Sequence, residues 1–284
     1  QDAGYFQFTN CSNLELKNIR FLGGKKPIRY TLRISKSTNI TILKCTFRDY
    51  ISSLKIYECL VLTNSKGVDI RKCLFSGLSA KDIVRGIKII NLSENRDFYV
   101  SGNSFENINS SNDADGIYVF QDVRSPIDLT IERNHFKDIK KRFIKIDASG
   151  VTVCENTGKS PSIETMYSYV SIYGNNVKLV RNSFLTPRTM VYTGIEIGSR
   201  VRNKLSNIYI HKNVFKAINT PKDSPNSQIR VQGNIEGLSV TKNSSVGFYY
   251  AVALSKVADY KVGSFTLKDN KLEVKEIFEK PMPL

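Results

Sequence analysis

The sequence predicts an all-β protein, a single right-handed parallel β-helix of about ten coils. The main observation is an apolar-x-apolar triplet that recurs ten times and begins at residues 14, 40, 68, 98, 129, 151, 177, 208, 238 and 265. Such alternation is typical of a half-buried strand. Successive triplets begin 22 to 31 residues apart, which suits a coil of three short strands and three turns.

A second observation is a pair of ladders that follow the triplets. Three residues after each triplet come Ile19, Cys45, Cys73, Asn103, Asn134, Asn156, Asn182, Asn213, Asn243 and Asn270. Two residues further on come Phe21, Phe47, Phe75, Phe105, Phe136, Gly158, Phe184, Phe215, Ser245 and Leu272. We expect the Asn residues to adopt the left-handed backbone of a tight corner and to hydrogen bond along the axis, with the Phe rings stacked inside.

A second apolar-x-apolar strand precedes most copies of the triplet. Examples are Ile87-Lys88-Ile89, Ile117-Tyr118-Val119 and Ile195-Glu196-Ile197, each introduced by a glycine. A leucine-rich repeat, the rival for this period, would need a helical segment in each repeat, and none is predicted. The strands therefore favour the β-helix.

Composition agrees with one folded domain over residues 1–284. The 284 residues are 40% apolar, and 42 Lys and Arg against 26 Asp and Glu give a net charge of +16, which favours polyanionic partners. No apolar run is long enough to span a membrane. The five cysteines lack the spacing of a zinc site or disulfide scaffold, so we expect reduced thiols and no metal or cofactor. Because the chain opens directly on a strand, we also expect an N-terminal cap to be missing.

The Asn ladder, the Gly-Ile-x-Ile strands and the Asn-x-Phe corners together resemble the pectin-lyase-like superfamily of right-handed β-helices, over roughly residues 5 to 275. The superfamily includes pectate and alginate lyases, polygalacturonases, epimerases and phage tailspike depolymerases. The resemblance implies a substrate that lies along the face of the Gly-Ile-x-Ile strand. It leaves the chemistry open, because a fold does not fix a function.

Candidate catalytic residues are carboxylates on that face. Asp147 and Glu196 lie two coils and one side-chain step apart, with Cα atoms roughly 11 Å apart, which allows the ~6.5 to 9.5 Å carboxyl gap of an inverting glycosidase. The alternative is that both are solvated and pair with Lys145 and Arg230. A second pair, Asp113 and Asp115, precedes Tyr118, and its alternative is an ordinary turn.

Candidate substrate-binding residues are Tyr118, Lys145, Tyr173, Arg230, Lys88 and Arg142. The tyrosines offer rings on which sugars stack, and the cations would neutralise a uronate carboxylate, as a lyase requires. The alternative is a purely structural role, in which the rings pack under loops and the cations only keep the sheet soluble. The two histidines, His135 and His211, are too scattered for a metal site or a triad.

These features favour a carbohydrate-active protein that binds and cleaves an acidic bacterial polysaccharide, as a hydrolase or a lyase, in the manner of a phage tailspike. We expect a homotrimer, and a location in the virion or outside a bacterial cell after synthesis in the cytoplasm. One alternative is a structural module that binds a glycan or receptor without cleaving it. Another is a secreted lyase or epimerase. Nucleic-acid binding is not favoured, because no recognition motif accompanies the basic residues.

Overall fold

A computed structural model describes residues 4–92, 98–121, 126–186, 188–198, 205–218, 226–254 and 263–279. These residues form 29 strands. The described ranges contain no helix, and so none that could cross a membrane.

In chain order the strands are β1 (Gly4–Thr9), β2 (Glu15–Lys17), β3 (Arg20–Lys26), β4 (Tyr30–Ser35), β5 (Thr38–Leu43), β6 (Thr46–Ser52), β7 (Ile56–Thr63), β8 (Lys66–Arg71), β9 (Leu74–Ser79), β10 (Ile83–Ile90), β11 (Phe98–Ser101), β12 (Ser104–Asn109), β13 (Asp113–Phe120), β14 (Leu129–Glu132), β15 (His135–Ile139), β16 (Arg142–Asp147), β17 (Val151–Cys154), β18 (Thr157–Lys159), β19 (Thr165–Ile172), β20 (Val177–Val180), β21 (Ser183–Leu185), β22 (Met190–Gly198), β23 (Leu205–His211), β24 (Val214–Lys216), β25 (Ser227–Gln232), β26 (Ile235–Thr241), β27 (Ser244–Leu254), β28 (Phe265–Lys268) and β29 (Lys271–Glu279).

The strands form three parallel faces of one solenoid. The first face is a ten-stranded sheet of β2, β5, β8, β11, β14, β17, β20, β23, β26 and β28. The second face contains β3, β6, β9, β12, β15, β18, β21, β24 and the starts of β27 and β29. The third face contains β1, β4, β7, β10, β13, β16, β19, β22, β25 and the ends of β27 and β29. The predicted fold class, a right-handed parallel β-helix of about ten coils, is confirmed.

The asparagine ladder is confirmed as a buried column. The backbone N–H of Asn156 donates to Oδ1 of Asn182 at 3.0 Å, and the side-chain amide of Asn156 donates to the same oxygen at 2.9 Å. The pattern recurs from Asn103 to Asn270, and Cys73 joins it by donating its N–H to Asn103. Each amide thus caps the next coil, so that buried polar groups are satisfied along the axis.

The expected left-handed backbone of the ladder asparagines is wrong by one residue. Positive φ angles occur instead at the preceding position, for example 52° at Arg133, 55° at Arg181 and 54° at Lys212. Asparagine is therefore selected at the ladder by the hydrogen bonds of its buried amide. Corner conformation is set by the exposed residue before it.

The phenylalanine column is also confirmed. At Gly158, where the column lacks a ring, a ring from another strand takes its place. Rings of Phe47 and Phe75 stack at 4.8 Å, and those of Phe105 and Phe136 at 5.0 Å. At Gly158 the ring of Phe143, from the third face, occupies the vacant place, since a Cβ on Gly158 would lie 2.3 Å from Phe143 Cε2. One core thus runs continuously through the stack.

Cys45 and Cys73 occupy adjacent ladder positions as buried free thiols. The N–H of Cys45 donates to Sγ of Cys73 at 3.4 Å. Stacked thiols, the predicted arrangement, therefore replace asparagine at this end of the ladder. A hydrogen bond between the two thiol groups lowers the pKa of Cys45 to about 7, and the same bond, followed by burial, raises the pKa of Cys73.

Candidate functional site

A column of polar residues lies on the outer side of the third face. Their side chains point away from the apolar core but are shielded from solvent. Strand register aligns Glu58, Arg85, Asp115, Arg142, Ser168, Thr193 and Ser227. All seven side chains are buried. Charged groups therefore occupy the first coils of this column, and hydroxyl groups occupy the later coils.

The charged part forms a cluster that we call the ionic cluster: Glu58, Arg85, Lys88, Asp113, Asp115, Arg142 and Lys145. Arg142 bridges the two aspartates, with an ion pair to Asp113 and Nε 2.9 Å from Oδ1 of Asp115. Lys145 Nζ lies 3.1 Å from Oδ2 of Asp113. At the other end, Arg85 and Lys88 both contact Oε1 of Glu58, Lys88 at 2.7 Å. Mutual pairing makes it possible to bury these charges.

The two aspartates have pKa values displaced in opposite directions. Burial raises the pKa of Asp115, which is fully buried, and the nearby Asp113 carboxylate adds to the effect against the opposing pull of Arg142. Burial acts in the same sense on Asp113, but Arg142 and Lys145 outweigh it and hold the pKa of Asp113 below its ordinary value. Asp113 therefore ionises more readily than Asp115.

Tyr118 covers the ionic cluster. Its ring centroid lies 4.5 Å from Cζ of Arg85 and 4.9 Å from Nζ of Lys145. Both cations thus face the π-system of the ring, which stabilises them without full hydration. Tyr118 is itself only 7% exposed, so its ring shields Arg85 and Lys145 from solvent.

The hydroxyl part of the face surrounds a buried carboxylate, Glu196. Tyr167 donates its hydroxyl to Oε1 at 2.5 Å, Ser171 donates to Oε2 at 2.8 Å, and Tyr173 also donates to Oε2. Glu196 is 2% exposed, whereas both tyrosines are partly exposed. We call Glu196, Tyr167, Tyr173 and Ser171 the tyrosine site.

The tyrosines at this site are held in their neutral form. Burial and then the hydrogen bond to Glu196 raise the pKa of Tyr167 to about 12. Burial and the negative charge of Glu196 raise the pKa of Tyr173 as well. Each tyrosine hydroxyl therefore remains protonated and donates a hydrogen bond to the Glu196 carboxylate, which fixes the position of each ring.

The structure brings the predicted site residues into two neighbouring groups. Asp113, Asp115, Arg142, Lys145, Lys88 and Tyr118 belong to the ionic cluster. Glu196 and Tyr173 belong to the tyrosine site, and partly exposed Arg230 pairs in register with Glu196. Partly exposed Asp147 ends β16, two coils from Glu196 on the same face.

Two details of the prediction are corrected. The alternative that Glu196 is a solvated residue paired with Lys145 is wrong, because Glu196 is 2% exposed and Lys145, which is 6% exposed, pairs with Asp113. Asp113 and Asp115 are strand residues of β13, so the alternative of an ordinary turn is wrong. In both cases side chains of neighbouring coils cover and neutralise the group.

Sequence reasoning missed three participants, Glu58, Arg85 and Tyr192, whereas Tyr167 belongs to the aromatic residues of the middle coils that the sequence places on a sugar-binding face. Glu58 and Arg85 lie three residues before the predicted outward column, and aligning that earlier position would have found them. Tyr167 lies beside Tyr192, which is 41% exposed, because the neighbouring pairs Met166–Val191 and Ser168–Thr193 are in register. Among the described residues, no group of three or more His, Cys, Asp and Glu side chains is placed to hold a metal ion.

Comparison with known proteins defines the class by fold. No protein-family model and no curated protein matches the chain. A crystal structure of PfbA, a surface adhesin of Streptococcus pneumoniae, matches with a TM-score of 0.53 and 16% identity, over 93% of this chain and 71% of the adhesin. This likeness shows the fold alone, that of a parallel β-helix.

Two structures of the tailspike protein of E. coli bacteriophage HK620 also match. One is a complex with a pentasaccharide, at a TM-score of 0.45, and the other a complex with a hexasaccharide, at a TM-score of 0.43. Both are 12% identical, over 91% of this chain and 54% of the tailspike.

Proposed function

We propose that this protein binds a polysaccharide across the tyrosine site of the third face. The observation that carries the proposal is the buried carboxylate of Glu196, which accepts hydrogen bonds from Tyr167 and Tyr173 and so fixes two partly exposed rings on one coil. Rigid aromatic rings beside polar groups suit the apolar faces and hydroxyls of sugars. Tyr192, exposed on the next coil, extends the platform along the axis.

An acidic glycan fits this surface best. Lys141 Nζ lies 5.1 Å from the Tyr167 ring, and partly exposed Arg230 is in register with Glu196. The adjoining ionic cluster contains four cations against three carboxylates. Positive groups therefore surround the rings, which favours a polymer that carries carboxylates or other anions.

Hydrolysis is a second candidate function, and Asp147 supports it. Asp147 is partly exposed at the end of β16, two coils from Glu196 on the same face. With a glycosidic bond beside it, the Asp147 carboxyl would act as the general acid or the general base, and Glu196, which is buried, would position the tyrosines against the sugar. Lyase chemistry by Lys145 is less favoured, because this amine is buried and paired with Asp113.

The test of binding uses immobilised capsular and uronate polysaccharides. Tyr167→Ala should weaken retention by about tenfold, as loss of a stacking ring predicts. Tyr99→Ala removes a ring that is 39% exposed on the first face, and should leave retention unchanged. Equal retention by both variants would place the glycan elsewhere.

The test of cleavage measures new reducing ends and unsaturated products from the same polysaccharides. Asp147→Asn is the cleaner variant, since Glu196 also holds two tyrosines in place. A hydrolase should produce reducing ends, and Asp147→Asn should lower turnover by about two to four orders of magnitude. Binding without products would identify a non-catalytic glycan-binding module.

The expected homotrimer and the virion or cell-exterior location stay predictions. Sedimentation of the full chain tests the first of these, and a mass corresponding to one chain would contradict it.

A further inference from the structure

A row of exposed cations follows the corner between the first and second faces. We call it the basic ridge: Lys44, Lys72, Arg133, Arg181, Lys212 and Lys242. Each residue immediately precedes a ladder position, and each has a φ angle between 50° and 57°. The six residues therefore occupy equivalent places on different coils, with about 4.8 Å between adjacent coils.

Local backbone preference does not explain these cations. A left-handed conformation costs a residue with a Cβ roughly 1 to 2 kcal/mol, and glycine and asparagine avoid much of that cost. The corner before the first face shows the expected choice, with Asn13, Asn39, Gly67, Asn207 and Gly237 at positive φ. Lysine and arginine at the other corner are therefore present for their side chains.

The ridge is rigid and produces a positive field. The N–H groups of Lys212 and Lys242 donate to carbonyls of the next coil, both at 3.1 Å, which fixes the spacing of the charges. Glu155 lies between Arg133 and Arg181 and pairs with both, at 3.0 and 2.7 Å.

The positive charges of the basic ridge act on the imidazole of His211. Burial, followed by the charges of Lys212, Lys242 and Arg181, lowers the pKa of His211. Its Nδ1 lies 2.8 Å from Oγ1 of Thr241, and its ring stacks on Tyr209 at 5.3 Å. Repulsion along the row would be relieved by an anion lying against it.

We propose that the basic ridge is a second binding site, for a linear acidic polysaccharide that runs parallel to the axis of the solenoid. Six of the eight coils from Lys44 to Lys242 carry a cation at this position, and Gly102 and Glu155 occupy the other two. This arrangement suits a linear polymer with a charge on most of its sugars. The residues that flank Lys44, Lys72 and Lys242 are not aromatic, and one ring pair, Tyr209 and His211, lies beside Lys212. Single-stranded nucleic acid is bound by a series of stacking rings along a basic groove, so a polysaccharide is favoured.

The test replaces Lys44, Lys72, Lys212 and Lys242 together by asparagine, which removes charge and suits the left-handed backbone. Binding of polygalacturonate at low ionic strength should weaken by at least about tenfold, with a shallower dependence on salt. Lys36→Asn is the matched control, because Lys36 is exposed with a φ of 50° at a different corner. It should change the affinity by less than about twofold, as one exposed charge outside the ridge predicts.

A second readout is the pKa of His211, followed by NMR. Saturating polygalacturonate should raise this pKa in the unaltered protein, because the bound anion offsets Lys212 and Lys242. Unchanged affinity in the fourfold variant, or an unchanged His211 pKa on binding, would overturn the proposal. Tighter binding of poly(dT) than of polygalacturonate through the same four lysines would overturn the choice of polysaccharide. Tyr167→Ala, which tests the third face, leaves the ridge intact, so the two proposals fail separately.

Discussion

Replacing Asn182 by alanine should destabilise the solenoid more than its single side chain suggests. Oδ1 of Asn182 accepts the backbone N–H and the side-chain amide of Asn156, and its Nδ2 donates to Asn213 Oδ1 at 2.9 Å and to the Val153 carbonyl at 3.0 Å. The Asn156 side chain keeps carbonyl acceptors on Ile131 and Cys154. The backbone N–H of Asn156 is the donor that loses this partner.

The expected magnitude follows from these contacts. A buried donor left unpaired costs about 1 to 3 kcal/mol, and three further hydrogen bonds contribute about 0.5 to 1.5 kcal/mol each, so Asn182→Ala should cost roughly 2.5 to 7.5 kcal/mol. Urea unfolding measures this cost, and amide hydrogen exchange should show lost protection at Asn156. Asn112→Ala, an exposed control, should cost less than about 0.5 kcal/mol. A cost below 1 kcal/mol with full protection at Asn156 would refute the ladder's role.

Other predictions concern the core, the ionic cluster and alkaline pH. Gly158→Phe should destabilise the protein by roughly 1 to 3 kcal/mol because Phe143 already fills the stack, and adding Phe143→Ala should recover stability in urea unfolding; independent, additive costs would contradict this. Arg142→Met should cost about 3 to 5 kcal/mol by leaving buried Asp115 and partly exposed Asp113 underpaired, and exposed Arg133→Met less than about 1 kcal/mol. The pKa of Tyr167 is raised from 10.0 to about 12, so its contribution to stability is complete below pH 10 and is lost as the pH rises toward 12. Tyr167→Phe should make the unfolding free energy less dependent on pH in this window, and an unchanged dependence would contradict the assignment.

The repeat made the coil architecture predictable from sequence. Apolar triplets, the Asn ladder and the Phe column recur at matching positions, and strand register can be obtained by aligning them. The alignment cannot show that a ring from one strand fills the space left on another strand. For this reason the sequence did not predict that Phe143 takes the place of the ring missing at Gly158. Such repair depends on the three-dimensional proximity of two faces within one coil.

The burial of the ionic cluster was not predictable from simple alternation. Gly116 and Ile117 both face the interior, since a Cβ on Gly116 would lie 2.8 Å from the Phe136 ring and Ile117 is fully buried. The chain therefore bends between Asp115 and Tyr118, and this shifts the alternation by one residue. Asp113, Asp115 and Tyr118 consequently share the outer face, where cations of the next coils cover them.

The left-handed corners were misplaced for a related reason. Asparagine is common both at left-handed positions and at buried hydrogen-bonding positions, so its presence alone cannot distinguish the two. The Lys and Arg residues just before the ladder could have shown which position is left-handed. Their side chains are exposed, and the asparagine that follows each of them therefore points inward.

A crystal structure of the protein with a bound acidic oligosaccharide tests the central claim most directly. The account predicts sugar rings on the third face, stacked on Tyr167 and Tyr192 and within hydrogen-bonding distance of the Tyr173 hydroxyl. Residual density on the basic ridge would be compatible with a second site, provided that the tyrosine site is also filled. Sugar bound on another face, with Tyr167 and Tyr192 left in solvent, would contradict the account.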